Sequence, residues 1–244
     1  MYEPRTYRQW ANFKDLVSFN VTVRETDLYI SAMTNLKKKA HRLVIKYREK
    51  LDNYIRQHPA FASSLKPFPV FIDAPDIVKV MAEAAEKAGV GPMAAVAGAI
   101  AESIGNELLS YSPEIIVENG GDIFLKSREK RVVGIYAGDS PLTGKIGLEI
   151  NAEDTPLGIC TSSGTIGHSF SEGMADAVVV LSKSAALADA AATAIGNRVM
   201  GADDIPQGID FAQEIKDITG ILIIKDDKMG FWGEVKLCPT YTDS

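Results

Sequence analysis

Cysteine is scarce: the 244-residue chain has two, Cys160 and Cys238, with no CxxC pair and no zinc-finger spacing. That usage fits a reducing compartment and gives no metal-finger site, while two cysteines still allow one bridge. The opening residues, Met1 to Trp10, lack the apolar core of a secretion signal. No apolar run approaches the ~20 residues that span a bilayer. Positive charge is also short, with a net of −6, so the basic footprint of a nucleic-acid binder is missing. No linker, low-complexity stretch or fixed-period repeat interrupts the chain. The expectation is a cytoplasmic protein, one domain over residues 1–244, with neither nucleic acid nor membrane as partner.

What is present is an ordinary globular composition, 46% hydrophobic, in changing periodicities. Residues 17–23 and 28–33 read as strands around the polar turn Glu25-Thr26-Asp27. Leu36, Ala40, Leu43, Val44, Tyr47, Leu51 and Ile55 follow helical spacing to about Gln57, with Thr34 or Asn35 as cap. The opposite face of that helix is basic and reads as a solvated surface. Prolines at 59, 67 and 69 mark a loop. Pro75-Asp76 opens a helix ended by Gly89-Val-Gly91, and Pro92 starts another, running to about Ser110. Short strands follow at 115–117, 123–125, 131–136, 146–150, 158–161 and 177–181. A helix over 184–199, a further helix over 205–218 and strands at 221–224 and 233–237 complete the pattern. Helices segregated from runs of strands predict an α+β fold.

Four segments carry candidate chemistry. In Val117-Glu-Asn-Gly-Gly-Asp-Ile-Phe124, Asn119-Gly120 is a strong hairpin signal. The glycines Gly120 and Gly121 equally let a backbone approach a ligand, with Glu118, Asn119 and Asp122 beside it. In Gly158–Phe170, hydroxyls and glycines suit phosphate oxygens, through Thr161, Ser162, Ser163, Gly164 and Thr165, and His168 is placed to carry a proton. The alternative there is a polar turn that satisfies its own backbone. In Ser184–Ala194, Asp189 and Thr193 are four apart and share one face of an alanine-rich helix, either as a hard-cation site or as the polar edge of a packed helix. Small residues from Gly91 to Ala101 permit close approach of a helix or a ligand.

Taken in order, these segments resemble the ApbE-like superfamily. The family's metal motif, Ala-Asp-Ala-x-Ala-Thr-Ala, matches Ala188 to Ala194, its Gly-Gly-Asp-Ile motif matches Gly120 to Ile123, and its Gly-Gly-Ile-Ala-Lys-Gly-Tyr-Ala segment aligns loosely with Ala94 to Ala101. The resemblance covers about Gly91 to Met200. It implies duplicated T-fold-like halves with a ligand cleft between them. It also implies the activity of the family's catalytic members, magnesium-dependent FAD:protein FMN transfer. Magnesium would then sit on Asp189, Thr193 and the Ala97 carbonyl, and FAD or another nucleotide or phosphorylated ligand would lie on residues 118–122 and 161–165. Two departures stand out. Gly98 occupies the position of the family's lysine, and the family's His-Ile-Ile-Asp-Pro-Arg-Thr-Gly loop is missing, His168 being followed by Ser-Phe-Ser-Glu-Gly-Met-Ala. The chain is similar to a divergent branch associated with sulfur metabolism. That keeps open an accessory, non-transferase role with a protein partner, in which Cys160 carries a thiolate or persulfide, and a structural oligomer with a vestigial cleft. For Cys160 the competing reading is a buried strand cysteine.

Overall fold

The structure is a computed structural model and describes residues 13, 15–164 and 173–240. It contains eleven strands: β1 (Val17–Val23), β2 (Thr26–Ala32), β3 (Ile115–Asn119), β4 (Asp122–Lys126), β5 (Arg131–Gly134), β6 (Ile146–Ile150), β7 (Leu157–Ser162), β8 (Ala177–Ser182), β9 (Ile218–Lys225), β10 (Lys228–Gly233) and β11 (Leu237–Pro239). Its helices are α1 (Lys37–Gln57), α2 (Pro59–Ser63), α3 (Asp76–Ala88), α4 (Val96–Leu108), α5 (Ala185–Gly196) and α6 (Ile205–Glu214).

Eight strands form one sheet in the order β1-β2-β3-β4-β7-β8-β9-β10, antiparallel throughout. The order contains the same unit twice. Each half is a hairpin, a helical crossover and a second hairpin, and the halves meet where β4 pairs with β7. This is the α+β, duplicated architecture that the segment order predicts. The β4–β7 connection carries β5 and β6, which pair with β11 into a second, three-stranded sheet.

Alternation along the strands sorts side chains into two cores, because successive residues of a strand face opposite sides. Ile115, Val117, Phe124, Cys160, Val178, Val180, Ile221 and Ile223 pack under the helices. Ile116, Leu125, Leu157, Ile159, Ala177, Val179, Leu222 and Ile224 pack against Val133, Leu148 and Ile150 of the small sheet. The layers are therefore helices, large sheet and small sheet. Central strands buried on both faces explain why β8 and β9 read as unbroken apolar runs.

Four expectations shift. Pro59, tolerated at a helix start, opens the short α2 inside the expected loop. Pro92–Ala95 is a 3₁₀ turn that leads into α4. The helix predicted to reach 218 stops at Glu214, because Asp217 takes φ +70° and turns the chain into β9. The strand expected at 233–237 is instead split between β10, on the edge of the large sheet, and β11, in the small one, with Gly233 at φ +80° between them. No single helix among the described residues is long and apolar enough to cross a membrane.

Candidate cation and ligand site

The site forms where the inner ends of the two halves meet under the helices. Asn119 and Asp122 are register partners across the β3–β4 turn, and the two residues between them, Gly120 and Gly121, have φ +72° and +108°. Positive φ at both central positions is the two-residue turn that follows the twist of a hairpin. The hairpin reading of Asn-Gly therefore holds. The same turn also sets Asn119 and Asp122 side by side on the helix-facing side, two residues beyond Val117 and before Phe124. Glu118 lies on the other face and braces the turn, its Oε1 accepting from the Gly121 N–H at 3.0 Å.

From this turn a chain of contacts runs through the start of α4 to α5. Asn119 Nδ2 donates to the Ala97 carbonyl at 3.1 Å, and the next amide, Gly98 N–H, donates to Asp189 Oδ2 at 2.9 Å. An unpaired amide in the first turn of a helix suits a carboxylate. The approach requires glycine: a Cβ on Gly98 would stand 2.2 Å from the Ala185 carbonyl oxygen and 2.9 Å from Asp189 Cβ. Gly158 does the same on the sheet side, where a Cβ would lie 2.4 Å from Ala185 Cα. The start of α5 is thus clamped between α4 and β7. Glu102 holds it further, accepting from Ser184 Oγ and the Ala186 N–H.

α5 is apolar nearly all round because it is a core helix. Ten of its twelve residues are buried, and the two that keep partial exposure are Asp189 and Thr193. Spacing of four places them one above the other. They form the one polar stripe of the helix, and it is the stripe that keeps some contact with solvent.

Across the β4–β7 seam, Asp122 lies beside Cys160, next in register after Ile123 and Ile159. The Cys160 thiol donates to the Ala185 carbonyl oxygen at 3.2 Å. Burial pushes the Asp122 carboxyl up to about 7, against the polar influence of the nearby Cys160 thiol and Thr161 amide and with the charge of Glu118 adding to the rise. Burial, then the charge of Asp122, drive Asp189 well above the usual carboxylate range, against the amides of Gly98 and Ala97. Among the described residues neither carboxylate pairs with Lys, Arg or His. The charge of Asp122 therefore bears on Asp189 with no cation to offset it.

Two buried polar atoms here lack a partner, Asp122 Oδ1 and Ser162 Oγ. Ser162 shares the helix-facing side of β7 with Cys160, two residues on, beside the glycine turn. No three of His, Cys, Asp and Glu gather into a metal cluster among the described residues. The protein therefore offers two carboxylates, hydroxyls and a carbonyl. That donor set fits magnesium, which takes one or two carboxylates and leaves other positions to water and phosphate.

The structure thus brings Asn119, Gly120, Gly121 and Asp122 together with Ala97, Asp189 and Ser162, whereas the Thr161 side chain falls on the other face of β7, with Ile159. The Ala97 carbonyl already accepts from Asn119. Ser163 and Gly164 continue from β7, and Gly164 packs on Gly173, which packs in turn on the end of α5 at Gly196. Thr165 and His168 lie outside the described residues. Cys160 is fully buried, and burial followed by the charges of Asp122 and Asp189 pushes its thiol up. That suppresses a thiolate and supports the strand-cysteine reading. Sequence reasoning had no signal for Cys160 as a neighbour of Asp122, because a strand pairing across 38 residues is invisible locally.

The family model described as AbpE bacteria matches residues 8–218. The chain belongs to this family. A UPF0280 protein of Methanocaldococcus jannaschii is 47% identical over 203 residues, covering 81% of this chain and 82% of the relative. One from Methanococcus aeolicus is 43% identical over 226 residues, covering 90% and 88%. Among solved structures, the apo flavinyl transferase ApbE of Pseudomonas stutzeri superposes with a TM-score of 0.60 at 13% identity, over 89% of this chain and 94% of that one. The flavin transferase ApbE of Vibrio cholerae gives 0.57 at 15%, over 89% and 96%. At such identities these two likenesses show the fold alone. The likeness in fold covers the doubled hairpin–helix–hairpin order.

Proposed function

We propose that this AbpE-family chain is a magnesium-dependent transferase acting on a nucleotide or another phosphorylated ligand, with FAD foremost, as one cytoplasmic domain. The observation that carries the reading is a pair of carboxylates with no cationic side chain beside them among the described residues, Asp122 buried and Asp189 partly exposed on the polar stripe of α5. Isolated buried charge is among the least favourable arrangements in a protein and persists where a ligand compensates it. The names of the structurally similar proteins, flavin and flavinyl transferases, agree in kind.

In this reading Asp189 and Thr193 hold magnesium, with the Ala97 carbonyl adjacent. The ion would neutralise charge on a pyrophosphate. The chain's own groups do the positioning. The Gly120-Gly121 turn has no side chains to fend off a ligand backbone, and a Cβ at Gly121 would meet little, the nearest atom being the Thr161 carbonyl oxygen at 3.9 Å. The β7 end offers hydroxyls to phosphate oxygens. Asn119 holds α4 so that its first-turn amide fixes the Asp189 rotamer. Full burial of Cys160 disfavours the accessory reading in which that thiol carries sulfur.

Calorimetric titration with FAD, FMN and ADP tests the proposal, each run with magnesium, with chelator, and with Asp189→Ala. Affinity is expected to rise with magnesium in the natural chain and not in the variant. Equal binding under all three conditions would overturn it.

A further inference from the structure

The geometry points to Asp122 as a second carboxylate of the cation site, so that the cation is held between the two halves of the sheet rather than by α5 alone. This rests on the cation reading above and adds a residue that the reading does not need. Asp122 comes from β4, the last strand of the first half, and Asp189 from α5, the first helix of the second. Both stand at the β4–β7 seam, within electrostatic reach of one another.

Two buried oxygens carry the inference. Asp122 Oδ1 has no hydrogen-bond partner among the described residues, and the residue is 7% exposed. On the neighbouring strand Ser162 is also 7% exposed, and its Oγ has no partner either. Buried oxygens are nearly always satisfied. Here two of them lie on the same helix-facing side beside the glycine turn, next to a helix whose polar stripe is Asp189 and Thr193. Every one of these is an oxygen donor. Oxygen donors with room for water select a hard divalent cation over a thiophilic one.

The same features explain the glycine turn functionally. A two-residue loop ties Asn119 and Asp122 into adjacent register positions. One hairpin thereby delivers the amide that anchors α4 and the carboxylate that faces α5. A shift of one residue would turn Asp122 to the small-sheet side.

Titration of the full chain with Mn2+ alone, followed by electron paramagnetic resonance of the free ion, tests the inference without any nucleotide. Asp122→Asn keeps size and shape and removes the charge; Asp189→Asn and Ser162→Ala are made beside it. Thermal unfolding in chelator and in Mn2+ supplies the structural control. The expected result is that Asp122→Asn and Asp189→Asn each weaken Mn2+ binding by roughly tenfold or more. In chelator, Asp122→Asn should melt at or above the natural chain, since it removes an unpartnered buried charge, and Mn2+ should no longer raise its melting temperature. Mn2+ affinity unchanged in Asp122→Asn overturns the inference and assigns Asp122 as a buried protonated acid. Lost binding together with a lower melting temperature in chelator also overturns it, because Asp122 would then be structural. If the natural chain binds no Mn2+ alone yet binds nucleotide more tightly with magnesium, this inference fails while the proposed function stands.

Discussion

The Gly98 amide donates to Asp189 Oδ2 at 2.9 Å, across a gap in which a Cβ on Gly98 would stand 2.2 Å from the Ala185 carbonyl oxygen. One residue therefore both contacts the acid and makes room for the helix that carries it. This gives a physical meaning to glycine at position 98. In this chain α4 is pressed against α5, and a side chain at 98 has nowhere to go.

Gly98→Ala is accordingly expected to destabilise the protein by about 1–3 kcal/mol or more, since the clash is with backbone that cannot rotate away. Gly98→Lys should be worse and should not gain nucleotide affinity. Urea unfolding gives the first result and calorimetry the second. A Gly98→Ala protein as stable as the natural chain would show that the two helices can slide apart.

Gly121→Ala separates backbone strain from crowding. A Cβ there meets only the Thr161 carbonyl oxygen, in ordinary contact at 3.9 Å, but φ is +108°, outside the regions an L-residue readily adopts. The expected loss is about 1–2 kcal/mol. Because the turn sets the register of Asp122, magnesium-dependent nucleotide affinity should fall as well. Gly89→Ala, at a helix end with φ +72° and in open space, should lose stability to a similar degree and keep affinity.

Glu114 sets an acid limit on stability. Arg131 Nη2 lies 2.8 Å from Glu114 Oε2, Ser127 Oγ donates to the same oxygen at 2.6 Å, and Asp15 takes the other face of the guanidinium. Burial raises the Glu114 carboxyl, but the hydrogen bonds from Ser127 and Arg131 outweigh it and hold it below the usual value of 4.5. A lowered folded value means that the unfolded chain takes up the proton first. The contribution is therefore complete above pH 4.5 and disappears as pH falls through the lower folded value. Glu114→Gln should cost about 1–3 kcal/mol near neutrality, and urea midpoints of the two proteins should converge toward pH 3. A constant gap across that range would contradict the assignment.

The two thiols should behave differently toward a water-soluble disulfide reagent. Cys238 is partly exposed on β11 and should react in the native protein, whereas Cys160, fully buried with its thiol pushed up, should react only on unfolding. Cys160→Ser should therefore leave nucleotide binding essentially unchanged. Rapid native labelling of Cys160 would reopen the sulfur-carrier role.

Several features of this protein were legible in its sequence because they depend on neighbours along the chain. Alternation in 17–23, the unbroken apolar run 177–181 and helical spacing from Leu36 to Ile55 mark elements that the structure contains. Asn119-Gly120 announces a hairpin through the φ its residues tolerate, and a spacing of four puts Asp189 and Thr193 on one face whatever surrounds them. Tertiary structure alone decided the rest. Pairing of β4 with β7 joins residues separated by the whole excursion through the small sheet, and only that pairing sets Asp122 beside Cys160. Whether the Asp189/Thr193 stripe faces solvent, a neighbouring helix or a cleft depends on how closely α4 approaches, which Gly98 permits but no local pattern reveals. The split of the last strand between two sheets likewise follows from Gly233 and from the free edge of β6, not from the composition of 233–237. Period and spacing determine which side of an element a residue occupies; what stands opposite that side is determined by contacts between distant parts of the chain.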